Sequence, residues 1–113
     1  HHTIALVPAG PDAQPAARDG IGLHHFAMEV ASLDELFACR EFFRAQGVPV
    51  VWEGRRGPGC NVGIEIHDPD GYQIELYCGI DQVAPGGRVR PASQFRPARS
   101  LEEARDNPVP AHW

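Results

Sequence analysis

Residues 22–30, GLHHFAMEV, are the stretch around which the predicted fold is built. They predict a β-strand with two adjacent histidines near its middle. Because side chains alternate between the two faces of a strand, His24 falls with the apolar Phe26 and Met28, which predicts a packing face. His25 falls on the opposite face, which also carries a carboxylate. That mixed face makes His25 a candidate metal ligand.

A capping box follows the strand, since Ser32 stands three residues before Glu35. In such a box each side chain hydrogen-bonds to the backbone at the start of a helix. Apolar residues at helical spacing then predict a helix over roughly 33 to 46, which Gly47 ends. We expect its aromatic residues to lie in the core, because an amphipathic helix must bury its apolar stripe.

Three further strands are predicted after the helix. They cover residues 48–53, 61–67 and 72–78, separated by a Gly- and Arg-rich loop at 54–59 and by the turn DPDG at 68–71. The last two strands alternate between apolar and polar residues. Their polar faces carry Glu65, Glu75 and Tyr77.

The segments at both ends of the chain differ from this central unit, which covers residues 21–80. Residues 1–7 (HHTIALV) predict one extra strand, although the two leading histidines also fit the remnant of a purification tag, and 8–20 predict a loop. Residues 81–113 form a Pro- and Arg-rich tail. A second capping box at Ser100 predicts a short helix there, and we expect the tail as a whole to be too polar to form a core and to cover the surface or contact a neighbour.

Composition narrows the possible partners. The chain has 113 residues and a net charge of −5, and all ten basic residues are arginine. A mildly acidic chain without a basic stripe argues against nucleic acid and anionic membranes as partners.

No apolar run approaches the roughly 18 residues that a membrane span needs. Three cysteines without a CxxC pair favour free thiols, and we therefore expect a reducing compartment and a cytoplasmic protein.

The polar strand faces predict a metal site. An imidazole from His25 and a carboxylate from Glu75 suit a divalent ion such as Fe(II), Mn(II), Ni(II) or Zn(II). Two ligands are too few, so a third must come from His2, Glu65, another subunit or sequence upstream. The alternative is that both residues are ordinary solvated polar groups.

Three segments in this order, GLHHFAMEV, SLDELFACREFFRAQGVPV and DPDGYQIELYC, resemble the vicinal oxygen chelate superfamily. That superfamily includes glyoxalases, bleomycin-resistance proteins, methylmalonyl-CoA epimerases and type I extradiol dioxygenases. The resemblance implies an α+β fold, in which a βαβββ module forms a cupped mixed β-sheet. It also implies a second such module, from a homodimer partner or from upstream sequence. The segments HHTIALV and ARSLEEARDNP look closest to the dioxygenase branch.

The resemblance assigns roles to individual residues. The second histidine of the HH pair and the glutamate after DPDG are metal ligands in the family, which implies His25 and Glu75. A histidine in the preceding strand acts as a nearby acid/base group, which implies His2. The family's first metal histidine has no counterpart in this sequence, and we expect it upstream.

Two positions depart from the dioxygenase pattern. Arg56 stands where a histidine normally faces the substrate, and Glu65 stands where a tyrosine is usual. Arg56 suits an anionic group of the substrate or is a solvated loop residue. Glu65 suits a general base or is a solvated strand residue. Tyr77 suits hydrogen bonding in the cavity or covers the sheet edge.

The resemblance leaves three functions open. The first is ring cleavage of a catechol-like small molecule by a metal-dependent dioxygenase. The second is a glyoxalase- or epimerase-like lyase or isomerase that uses Glu65 as its base. The third is a metal-free protein that binds a small molecule such as a drug.

Overall fold

The computed structural model describes residues 10–12 and 22–111. The predicted leading strand at 1–7, with His2, and most of the predicted loop at 8–20 lie outside the described residues. The described elements are β1 (His25–Glu29), α1 (Leu33–Ala45), β2 (Trp52–Arg55), β3 (Val62–His67), β4 (Gln73–Cys78) and α2 (Leu101–Asp106), with short 3-10 turns at Pro85–Gly87 and Ala92–Gln94.

The four strands form one mixed sheet in the order β1-β4-β3-β2. β1 runs parallel to β4, whereas β4, β3 and β2 pair antiparallel. This is an α+β fold with βαβββ order, as the sequence predicted. Neither helix of the described chain has the length and apolar character that crossing a bilayer requires.

Both predicted capping boxes are present. Ser32 accepts a hydrogen bond from the backbone N–H of Glu35 at 3.2 Å, and the Glu35 carboxylate accepts one from the N–H of Ala31 at 2.6 Å. Ser100 accepts from the N–H of Glu103 at 3.0 Å in the same way. These contacts satisfy amide groups that have no partner within the helix, and they explain where α1 and α2 begin.

The core lies between the helices and one face of the sheet. Leu36 of α1 is fully buried and packs in one cluster with Val62 and Ile64 of β3. The cluster also contains Leu101 and Ala104 from the tail. The prediction that the tail is too polar to form a core is therefore wrong, because α2 turns a small apolar face inward and leaves its charged residues outside.

Arg55 fixes the tail against β2. The sequence placed this residue in a loop, but it belongs to β2 and is buried. Its guanidinium donates to the backbone carbonyls of Arg96, Ala104 and Asn107. Its own backbone exchanges hydrogen bonds of 2.8 and 3.0 Å with Ala98. Arg55 thereby caps the carboxyl end of α2 and joins it to the sheet.

The predicted packing face of β1 is not packed in the described chain. Phe26 and Met28 are 56% and 52% exposed. The reason is the position of α1, which contacts β3 and β4 but not β1. One edge of the sheet therefore carries large apolar side chains without a cover from the described residues.

Candidate metal centre

The sheet face opposite α1 carries the polar residues that the strand alternation predicted. We call it the polar face; it consists of His25, Ala27, Glu29, Trp52, Gly54, Gly63, Glu65, His67, Gln73, Glu75 and Tyr77. Backbone pairing puts Ala27, Glu75, Glu65 and Trp52 in one row across all four strands. The two glutamates are thus direct neighbours in the middle of the sheet.

His25 and Glu75 come together as the sequence predicted. The Nε2 atom of His25 lies 3.5 Å from Oε2 of Glu75, and Glu75 is only 7% exposed. The parallel pairing of β1 with β4 brings the two side chains onto adjacent strands. Bonds from a divalent ion to nitrogen or carboxylate oxygen are about 2.1 Å long. Two donor atoms 3.5 Å apart can therefore both bind one ion.

The oxygen of Glu75 that faces away from His25 has its own contacts. The amide nitrogen of Asn61 donates to Oε1 of Glu75 at 2.9 Å. A Cβ atom built on Gly63 would lie 3.0 Å from that same oxygen. Because Gly63 has no side chain, the Glu75 carboxylate fits beside it. The second oxygen, Oε2, then faces His25. Sequence reasoning missed both residues, although a glycine and an asparagine on the polar phase of β3 were the available signal.

His24 was predicted on the packing side of β1, but its ring contacts His25. Their Nδ1 atoms are 2.6 Å apart, so one nitrogen carries the proton and the other accepts it. When Nδ1 of His25 is the donor, Nε2 of neutral His25 presents its lone pair to the Glu75 carboxylate. A cation bound between these two acceptors would stabilise that tautomer, because a metal-binding histidine usually donates its other ring N–H to a neighbouring group.

Glu65 is also buried on the polar face, at 4% exposure. Its Oε1 atom accepts a hydrogen bond from Arg56, whose guanidinium carbon lies 3.8 Å from the ring centre of Trp52. Like charges directly opposite each other on a sheet are destabilising. The Arg56 cation offsets this effect for Glu65, which faces Glu75 across the strands. Arg56 is therefore paired and stacked, while about half of its side chain (49%) remains exposed.

Tyr77 lies half-buried on the same face, two residues beyond Glu75. Burial raises the pKa of its hydroxyl, and the charges of Glu29 and Glu75 raise it further. The phenol therefore stays protonated at neutral pH and can donate a hydrogen bond.

The donor set is incomplete within the described residues. No group of three or more His, Cys, Asp and Glu side chains among residues 10–12 and 22–111 is arranged to hold a metal ion. Glu65, one predicted source of the third ligand, is engaged by Arg56, and His2, another source, lies outside the described residues. The chemistry and spacing of His25 and Glu75 fit two ligands of a divalent metal ion.

Comparison of the chain with known proteins identifies its family. Residues 1–76 match the family model of the Glyoxalase/Bleomycin resistance protein/Dioxygenase superfamily. No curated protein matches the chain. Among solved structures, BphC, a halotolerant catechol dioxygenase, is similar with a TM-score of 0.55 and 21% sequence identity, over 75% of this chain and 29% of that one.

Two further structures are similar over shorter parts of the chain. Catechol 2,3-dioxygenase has a TM-score of 0.47 and 18% identity, over 61% of this chain and 27% of that one. Lactoylglutathione lyase from Agrobacterium tumefaciens has a TM-score of 0.44 and 29% identity, over 63% of this chain and 54% of that one. The chain spans only about a quarter to a half of the length of these three proteins. The family match covers more than half of the 113 residues, and the chain belongs to the Glyoxalase/Bleomycin resistance protein/Dioxygenase superfamily.

Proposed function

We propose that this chain is part of a metal-dependent enzyme of the vicinal oxygen chelate type that cleaves the ring of a catechol-like small molecule. The observation that carries the proposal is the convergence of His25 Nε2 and Glu75 Oε2 at 3.5 Å on adjacent strands. Membership of a superfamily that includes glyoxalases and dioxygenases supports it.

His25 and Glu75 would hold the ion. One imidazole and one carboxylate suit Fe(II) first, with Mn(II), Ni(II) and Zn(II) as alternatives. A bound divalent ion supplies Lewis acidity, which lowers the pKa of a coordinated hydroxyl group. The third protein ligand would come from a second module, either upstream of His1 or in a homodimer partner, and His2 is the proposed acid/base group beside it.

Three further residues, Arg56, Tyr77 and Glu65, would bind and orient the substrate. Arg56 is fixed by Trp52 and Glu65, and its exposed half can bind an anionic group of the substrate. Tyr77 can donate its hydroxyl proton to a substrate oxygen. Glu65 is a buried carboxylate on the polar face and would accept a proton from the substrate.

The uncovered edge of the sheet supports the proposed second module. Phe26 and Met28 lie exposed on β1, at the side of the sheet where another module would continue it. Burying such apolar side chains against a second module would stabilise the pair. The free thiols of Cys39, Cys60 and Cys78 suit the reducing cytoplasm that we propose as its compartment.

A glyoxalase- or epimerase-like reaction is the second candidate, favoured by one observation. A buried carboxylate, Glu65, lies directly across from Glu75 on the polar face. That position suits abstraction of a proton next to a carbonyl group. Such a reaction needs no oxygen, so solvent deuterium would enter the substrate under anaerobic conditions.

Iron reconstitution with oxygen uptake tests the proposal. We expect the full-length protein to retain Fe(II) and to consume oxygen with a catechol as substrate. His25→Ala and Glu75→Gln should each abolish both properties. His67→Ala is the matched control, because His67 is an exposed histidine on the same face outside the ligand pair. A protein that retains no metal after anaerobic reconstitution with Fe(II) contradicts the proposal.

A further inference from the structure

We infer that Asn61 and Gly63 together position the Glu75 carboxylate, so that Oε2 alone is presented to the ion. This inference rests on the proposed role of His25 and Glu75 as metal ligands. It concerns two residues that do not bind the ion themselves. Their contribution is the orientation of a ligand, and they are positioning residues.

The position of Asn61 is set by the turn before β3. The backbone N–H of Cys60 bonds to the carbonyl of Gly57 at 3.1 Å, and Cys60 has a positive φ of 50°. This turn delivers Asn61 to the start of β3 on the phase of Gly63 and Glu65. Its amide thereby faces the polar side of the sheet and reaches Oε1 of Glu75 at 2.9 Å.

The φ angle of Gly63 does not by itself require glycine. Its φ is not in the left-handed region, so other residues could adopt its conformation. What a side chain would meet is Glu75: an added Cβ would lie 3.0 Å from Oε1 and 3.6 Å from Cγ. It would also lie 3.1 Å from the carbonyl oxygen of Leu76. The Glu75 side chain crosses this gap to reach Asn61.

The two contacts act on one oxygen and leave the other for the ion. A carboxylate without such contacts rotates freely and binds a metal with either oxygen or with both. Here the hydrogen bond from Asn61 occupies Oε1, and Oε2 lies 3.5 Å from Nε2 of His25. Hydrogen bonds to metal-binding groups orient them, and their loss costs about 10–100-fold in metal affinity.

Co(II) titration of the full-length protein, followed by the visible absorption of the bound ion, tests the inference. Asn61→Leu keeps the size of the side chain but removes the donor, and we expect about 10–100-fold weaker Co(II) binding with an altered spectrum. Gly63→Ala should have the same two effects. Asn61→Gln restores an amide donor and should recover part of the affinity. Asn107→Ala removes an amide at the carboxyl end of α2, and Gly10→Ala adds a methyl group in open space; both should bind as the wild type does.

The outcomes separate this inference from the proposed function. Wild-type affinity and spectrum in both Asn61→Leu and Gly63→Ala would overturn the positioning role and leave the metal site in place. If the wild-type protein binds no Co(II), the proposed function fails, and crystal structures of the metal-free wild type and Asn61→Leu then decide. A Glu75 carboxylate that leaves its place beside Gly63 in the variant supports the positioning role, and an unchanged carboxylate overturns it.

Discussion

Arg40 joins three elements through one guanidinium group. It is 7% exposed on α1 and donates to Glu53 of β2 at 3.2 Å and to Glu102 of α2 at 2.7 Å. A buried charge is costly unless it is paired and hydrogen-bonded. The hydrogen bond from Arg40 lowers the pKa of Glu102 to about 2, and the same bond raises the pKa of Arg40. The folded state thus favours the ionised form of both groups.

This pairing makes the stability of the fold depend on pH in the acid range. Glu102 has a pKa near 4.5 when unperturbed and about 2 in the folded chain, so it binds protons more tightly after unfolding. Its contribution is therefore present above pH 4.5 and is lost as the pH falls towards 2. We expect Glu102→Gln to reduce the loss of stability between these pH values, measured as urea midpoints from pH 2 to 7.

A matched control isolates this effect. Asp106 forms an exposed ion pair with Arg105 at the end of α2, so Asp106→Asn should leave the acid dependence close to that of the wild type. Equal slopes in Glu102→Gln and the wild type would contradict the role of Glu102.

Strand alternation could predict that His25 and Glu75 share one face of the sheet, but not the contacts around them. His25, Glu65 and Glu75 lie on one face because their positions along each strand determine the face. The side chain of Asn61 hydrogen-bonds to Glu75, which lies on the neighbouring strand and 14 positions further along the sequence. Arg40 bonds to Glu102 across 62 residues. Contacts between residues so far apart in the sequence depend on tertiary packing, which a local sequence pattern does not predict.

At the scale of elements, α2 is part of the core despite its polar surroundings. Leu101 is 0% exposed and packs with Leu36 and Val62. Truncating a fully buried leucine removes apolar contacts and leaves a cavity. We expect Leu101→Ala to lower the free energy of unfolding by about 2–5 kcal/mol, measured by chemical denaturation. Leu23→Ala is the control, since Leu23 is 47% exposed, and a change within about 0.5 kcal/mol is expected there.

The elements themselves were predictable where a local signal exists. The capping boxes at Ser32 and Ser100 located the starts of both helices, because their hydrogen bonds span only three residues. β2 was predicted at residues 48–53 but runs over Trp52–Arg55. Its observed range follows from pairing with β3 and from the bridge between Arg55 and Ala98. Neither partner can be inferred from the residues of β2 alone.

At the scale of the whole molecule, the exposed apolar side chains of β1, at the edge of the sheet, predict that two copies of the chain associate. We expect the chain to form a dimer through this edge, and Phe26→Glu to shift it to the monomer by placing a charge in the buried interface. Analytical ultracentrifugation measures the change. Phe42→Glu is the matched control, because Phe42 is 61% exposed on α1 and lies away from β1. A wild-type monomer, or a dimer that survives Phe26→Glu, would contradict pairing through this edge.

The parallel pairing of β1 with β4 has a consequence for motion within the sheet. Ala27 and Glu75 are paired although they are 48 positions apart in the sequence, and β4 is the only described strand that pairs with β1. A strand with one neighbour and exposed apolar side chains opens locally at low free energy. In the metal-free protein, the amide hydrogens of β1 should therefore exchange with solvent faster than those of β3. An ion bound by His25 and Glu75 would act as a cross-link between β1 and β4, and exchange measured by mass spectrometry should slow in β1 when the ion is added.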